Sequence, residues 1–204
     1  MNTAAPTTHR AKRLLTAAAL PLVVLLGVAG CSGNDAAGND STTVAPNAQL
    51  AAKSLNTGLQ LHADGDLTAA AAAYKTTLKF DAKNKFAFYN LALIDEADGN
   101  YGLAEDKYRA AIKTDPAYEP ALFNVAILRT ARNDPQEAIA LYERAVAADG
   151  KDAAAWLNLG LLQRENGQRR AGDKNVLRAI ALNPDLTDPA EAAAVEGLVA
   201  PSGS

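Results

Sequence analysis

From Ala51 onward, apolar residues recur at three- and four-residue intervals in stretches of helical length, and the stretches come in pairs. The pairs repeat every 34 residues without a slip, giving units 51–84, 85–118, 119–152 and 153–186. A period of this size predicts stacked helical hairpins, because one hairpin cannot bury its apolar face alone. Gly65, Gly99 and Gly167 fall between the paired stretches, with Asn133 at that place in the third unit. Glycine and asparagine tolerate the positive φ that ends a helix, so each marks the end of a first helix. Asp66 and Asp134 follow as N-caps, and Asp134-Pro135-Gln136-Glu137 reads as a capping box with proline in the first helical turn. Asp81-Ala82, Asp115-Pro116, Asp149-Gly150 and Asn183-Pro184 separate one unit from the next.

Size alternates along the same register. Gly58, Ala92, Ala126 and Gly160 share one place on the first helices; Ala70, Ala104, Ala138 and Gly172 share one on the second. Beside them stand Tyr74, Tyr108, Tyr142 and then Val176, with Leu78, Ile112, Val146 and Ile180 a turn later. Small residues admit a close crossing and large ones fill the space around it. The pattern resembles the tetratricopeptide repeat, most clearly at Trp156-Leu157-Asn158-Leu159-Gly160, at Ala104 with Tyr108 and Pro116, and at Ala138 with Tyr142. Ser54, Thr57, Arg169 and Gly172 depart from it in the end units, where one side of a solenoid faces water. The resemblance implies an all-α helical-hairpin solenoid of four repeats. Residues 187–204 should close it: Asp188-Pro189-Ala190-Glu191 caps a short helix whose Ala192, Val195, Leu198 and Val199 share one face, and the tail then frays.

The chain before the repeats has a different character. Arg10, Lys12 and Arg13 precede the apolar run Leu14–Val28, which is short for a membrane span and is interrupted by Pro21. Together they read as a signal peptide over residues 1–30. Val28-Ala29-Gly30-Cys31 places the only cysteine directly after the small residues and resembles the lipobox of bacterial lipoproteins. That resemblance implies cleavage before Cys31 and a diacylglycerol thioether on its thiol. No cofactor beyond that lipid is expected. Residues 31–50 are rich in Gly, Asn, Asp, Ser and Thr and lack apolar periodicity, so they are expected to be a flexible tether. The reach of such a chain is on the order of 20–25 Å. The expected location is the extracytoplasmic face of a cell membrane, or an outer membrane where the organism has one.

Charge narrows the partner class. All acidic residues lie after Cys31, so loss of residues 1–30 leaves 17 basic against 23 acidic side chains. A nucleic-acid binder asks for a basic stripe, and none is present. Asn56, Asn90, Asn124 and Asn158 stand at one register place on the first helices, which the resemblance sets along the inner groove of the solenoid. Leu55, Tyr89, Phe123 and Leu157 precede them by one residue, Leu59, Leu93, Ile127 and Leu161 follow by three, and Phe86 joins near the centre. A side-chain amide offers two donors and an acceptor, which suits the backbone of an extended peptide. The same asparagines also fit a purely structural habit of the repeat, and both readings stand. Ala52, Leu55, Leu59, Pro120 and Asn124 occupy the places where a carboxylate-clamping relative would carry basic residues, so an acidic tail is not the expected ligand.

The expected function is therefore protein–protein interaction: a peptide or helix of another envelope protein held in the groove, with no small-molecule substrate. The alternative is an assembly subunit of an envelope machine that uses its convex face. Catalysis is not expected. His9 and His62 are the only histidines, and His62 is separated from Asp64 and from Asp66 by spacings that do not bring all three together on one helix face. It reads as a solvated or groove-lining side chain.

Overall fold

The computed structural model describes residues 46–188, and the signal peptide, Cys31 and the expected C-terminal cap lie outside them. The described residues form four helical hairpins in chain order. These are α1 (Pro46–Ala63) with α2 (Leu67–Phe80), α3 (Lys85–Ala97) with α4 (Tyr101–Thr114), α5 (Glu119–Ala131) with α6 (Pro135–Ala148), and α7 (Ala153–Glu165) with α8 (Arg169–Leu182). Each helix packs on its neighbours in sequence. The all-α repeat architecture is as the 34-residue period predicted.

One boundary differs. Helix α1 starts at Pro46, so Pro46–Leu50 belong to a helix rather than to the tether. Proline is pre-set for a first helical turn, and Ala48, Gln49 and Leu50 are good helix formers. Residues 47–50 are exposed and Ala51 is the first buried residue, so these four add length without adding core.

The turns repeat as closely as the helices. Gly65, Gly99 and Gly167 have φ of 84°, 77° and 81°, and Asn133 has φ of 60°. In every unit the amide after this residue donates back five residues: Asp66 to Leu61, Asn100 to Asp95, Asp134 to Arg129, and Gln168 to Gln163, at 2.8–3.0 Å. This bond satisfies carbonyls that a helix end would leave bare. Between units, Asp81, Asp115, Asp149 and Asn183 each accept a hydrogen bond from the amide two residues on, at 2.9–3.1 Å. The capping box at Asp134 is half made. Its carboxylate accepts from the Glu137 amide at 3.3 Å. The Glu137 side chain does not return the bond; it pairs with Arg109 and Arg129, whose charges outcompete a single amide.

Close crossings occur where the small residues fall. A Cβ on Gly160 would stand 2.8 Å from the Gly172 carbonyl, and one on Gly172 would stand 2.5 Å from the Gly160 carbonyl. Inside each of the first three hairpins a tyrosine fills the gap and is fully or almost fully buried. Its hydroxyl has a different partner each time. Tyr74 lies 3.4 Å from His62 Nδ1, Tyr108 donates to Glu96 at 2.7 Å, and Tyr142 meets Thr130. His62 is therefore the partner of a buried phenol rather than a solvated or groove-lining residue, and burial lowers its pKa. In the fourth unit Val176 needs no partner, and Arg164 at the matching place forks onto Asp188 with two 2.8 Å bonds.

Candidate functional site

The first helices of the second and third units meet along the predicted row. Asn124 Nδ2 donates to the Tyr89 hydroxyl at 3.4 Å, joining α5 to α3. Asn90 Nδ2 donates to the Phe86 carbonyl of its own helix at 2.8 Å. Both central asparagines are buried, whereas Asn56 is exposed and Asn158 half-buried. The four amides thus share a register without sharing an environment. Asn90 spends one N–H on its own helix, which leaves its second N–H and its carbonyl beyond that bond, whereas Asn124 meets the phenols of both Tyr89 and Tyr108.

The apolar flanks divide in the same way. Phe86 is 37% exposed, while Leu55, Leu59, Tyr89, Leu93, Ile127 and Leu161 are half-buried. Phe123 and Leu157 depart from the expectation of a binding surface, being only 2% and 3% exposed. Phe123 lies edge-on to Tyr142 with ring centroids 5.7 Å apart, and Leu157 packs with Val176 and Ala179. They are core residues. The accessible stripe is accordingly richest over the first two units and thins across the third.

An aromatic cluster at the centre of this face extends beyond the predicted row. Tyr118, in the turn before α5, meets Phe86 and Tyr89 edge-on at 5.8 and 5.5 Å. The Lys85 ammonium sits 5.1 Å from the Phe86 ring centroid and 4.9 Å from that of Tyr118, and pairs with Asp115 at 2.6 Å. Cations are drawn to aromatic faces, so this ammonium ties the start of α3 to the turn that leads into the third unit. Burial is the main cause that pushes the Tyr89 phenol up to about 12, with the Asn124 bond opposing and Glu119 and Glu96 adding to it. The phenol stays neutral and able to donate at any physiological pH. The signal for Tyr118 was present in the sequence: an aromatic residue stands where the first and third units carry Asn84 and Asp152.

A second surface lies at the other end of these helices. Glu105 of α4 is only 3% exposed and accepts from Arg109 Nε at 2.8 Å, Arg132 Nη1 at 2.5 Å and Arg129 Nη2. Burial pushes this carboxyl up, but hydrogen bonds from Arg129 and Arg109 outweigh it and hold it below the usual glutamate value. Over the cluster lies an open depression of about 720 Å³, whose rim carries Tyr101 and Leu103, both more than half exposed. Among the described residues no group of three His, Cys, Asp or Glu side chains is placed to hold a metal ion. No described helix is long and apolar enough to cross a membrane.

A tetratricopeptide repeat sequence profile matches residues 54–119 and 126–169, more than half of the chain. Among curated protein sequences none gives a significant match. Solved structures are similar in fold. The crystal structure of MamA superposes with a TM-score of 0.58 at 19% identity, covering 66% of this chain and 78% of that one. Pseudomonas aeruginosa PilF gives 0.59 at 18% identity over 69% and 64%. PilW, described as a widely conserved type IV pilus biogenesis factor, gives 0.57 at 24% identity over 67% and 63%. An O-GlcNAc transferase from Thermobaculum terrenum gives 0.57 at 22% identity, but only 26% of that chain is covered. With the 34-residue register, the four hairpins and their repeated turns, these likenesses lead to one assignment: the chain belongs to the tetratricopeptide repeat family.

Proposed function

We propose that this protein is a membrane-tethered interaction module with no catalytic activity. It is exported, acylated on Cys31, and captures a peptide or helix of another envelope protein on the face formed by its first helices. The observation that carries the reading is the exposed Phe86 among half-buried Leu55, Leu59, Tyr89 and Leu93, beside a register of amides. A contiguous apolar surface on a soluble domain marks an interaction site, and the amides supply backbone pairing next to it. The family is one of protein-binding scaffolds, and PilW, similar in fold, is described as a pilus biogenesis factor. An envelope partner is consistent with that likeness and with the lipobox-like Val28-Ala29-Gly30-Cys31.

The test is photocrosslinking in cells from Phe86 and Leu93, with Lys79 and Arg178, exposed on second helices, as controls. Adducts from the first-helix positions alone support the reading; adducts from the controls alone overturn it. A second reading is favoured by Tyr101 and Leu103, which expose an apolar pair on a second helix. In that case the protein is an assembly subunit and Leu103 gives the adduct. For the anchor, Cys31→Ser should abolish lipid labelling and release the protein from membranes; retention of both in the variant refutes acylation.

A further inference from the structure

The joints between units can be compared place by place, because the register never slips. At the joint of the second and third units, Lys85 opens α3 and reaches Asp115 at 2.6 Å. One repeat later, Glu119 stands at the place of Lys85, and Asp149 at the place of Asp115. The attractive pair has become a repulsive one, and Asp152 adds a third carboxyl within hydrogen-bond reach of Glu119. Glu119 Oε1 is buried and accepts no hydrogen bond. The groups facing Glu119 are Asp149 and Asp152 from the α6–α7 turn, Tyr89 from α3, and the adjacent Tyr118. None is a cation, and among the described residues Glu119 makes no ion pair.

We propose that the joint of the third and fourth units is a proton-dependent lock, in which Glu119 and Asp152 share one proton and the joint loosens when it is lost. Two ionised carboxylates cannot occupy one partly buried site without strong repulsion, so one of them keeps its proton. The hydrogen bonds settle which one. Asp152 Oδ1 accepts from the amides of Ala154 and Ala155 at 2.8 and 3.2 Å as the N-cap of α7, so Asp152 is already committed as an acceptor. Glu119 receives no such bond on its buried oxygen, so its hydroxyl donates to Asp152. Burial, followed by the bond to Asp152, raises the Glu119 carboxyl to about 8. A carboxyl whose folded value is raised binds its proton more tightly in the folded state. Its contribution to stability is complete below the unfolded value of 4.5 and is lost as pH rises through about 8. Tyr89 and Tyr118 are shifted further up by burial and do not titrate in that window.

The experiment follows the full chain by hydrogen exchange and mass spectrometry between pH 6 and 9, corrected for the intrinsic rate. Amides at the starts of α5 and α7 should lose protection by about tenfold for each pH unit that ionisation couples to opening. Amides at the Lys85–Asp115 joint serve as the internal reference and should not change. Glu119→Gln should flatten the profile, and Glu119→Lys should flatten it while restoring the kind of pair seen at Lys85. An equal loss at both joints, or the same profile in the parent and Glu119→Gln, overturns the lock. The parent itself supplies a measurement free of substitutions: a Glu119 side-chain carbon that titrates above pH 6 supports the shared proton, and a midpoint near 4.5 overturns it.

Discussion

Glu105→Gln removes the charge on which three arginines from two units converge while leaving the side chain's size nearly unchanged. Arg109 and Arg132 are 40% and 45% exposed and can turn to water when the carboxylate goes. Their bonds are therefore worth surface values, about 0.2–1 kcal/mol each. Arg129 is only 22% exposed and retains Glu137 at 3.1 Å. Its bond to Glu105 is charge-assisted and mostly shielded, worth about 1.5–3 kcal/mol. The total is about 3 kcal/mol, at the lower edge of what breaking a buried ion pair costs. For a domain of this size the melting temperature should fall by about 6–12 °C at pH 7, read by circular dichroism at 222 nm. The same carboxyl is held below its ordinary value in the folded state, so its contribution is present above the unfolded value of 4.5 and is lost on acidification. The difference between parent and variant should narrow as pH falls below that point. A variant melting within about 2 °C of the parent at pH 7, a shift too small for a shielded ion pair of this kind, refutes the reasoning. So does a difference that does not narrow in acid.

Two further outcomes test the packing and the amide row. Gly172→Ala places a methyl 2.5 Å from the Gly160 carbonyl and should cost about 1–2 kcal/mol, an overpacking penalty partly offset by helix propensity. Gly102→Ala in α4 meets nothing within 4 Å and should stabilise by up to about 1 kcal/mol; urea melts of both distinguish steric from conformational effects. Asn90→Ala with Asn124→Ala exchanges two modest hydrogen bonds for better helix formers, so helicity and melting should change little. A crosslinked partner should then be captured at least about tenfold less, since each backbone bond withdrawn costs on the order of 1 kcal/mol. Undiminished capture would leave the amides as a structural habit of the repeat.

The parts of this fold that were legible are those fixed by local rules. Gly65, Gly99, Asn133 and Gly167 end helices because of their own conformational freedom, and the unit breaks at Asp81, Asp115, Asp149 and Asn183 rest on a bond two residues long. What stayed hidden depends on neighbours far along the chain. Phe123 and Leu157 occupy the same register place as Leu55 and Tyr89 but are buried, Phe123 against Tyr142 and Leu157 with Val176 and Ala179. The start of α1 at Pro46 is masked in the sequence because the polar run before it continues without a break in composition, although residues within Pro46–Leu50 favour helix. Glu105 carried a readable signal. It stands where the other units place Ala71, Ile139 and Asp173, so a charge falls at a place that is apolar in two of them. Of the three arginines that answer it, Arg109 stands four residues on, but Arg129 and Arg132 are 24 and 27 residues further on and could not be paired with it by spacing alone.

A chain of near-identical hairpins faces a problem of order, since any first helix can dock on any second helix with similar apolar contacts. Here the polar fastening of the second unit to the third differs from that of the third to the fourth. Glu105 with Arg129 and Arg132 joins the second unit to the third, while Gln163 reaches Glu143 at 3.5 Å to join the third to the fourth. A hairpin that skipped a place would set Glu105 against residues that cannot answer it, and an unanswered charge costs more than a matched one returns. The polar differences between units thus act as an address code written over a uniform backbone. They give each hairpin one correct neighbour during folding, when exposed repeats are most prone to exchange partners within or between chains.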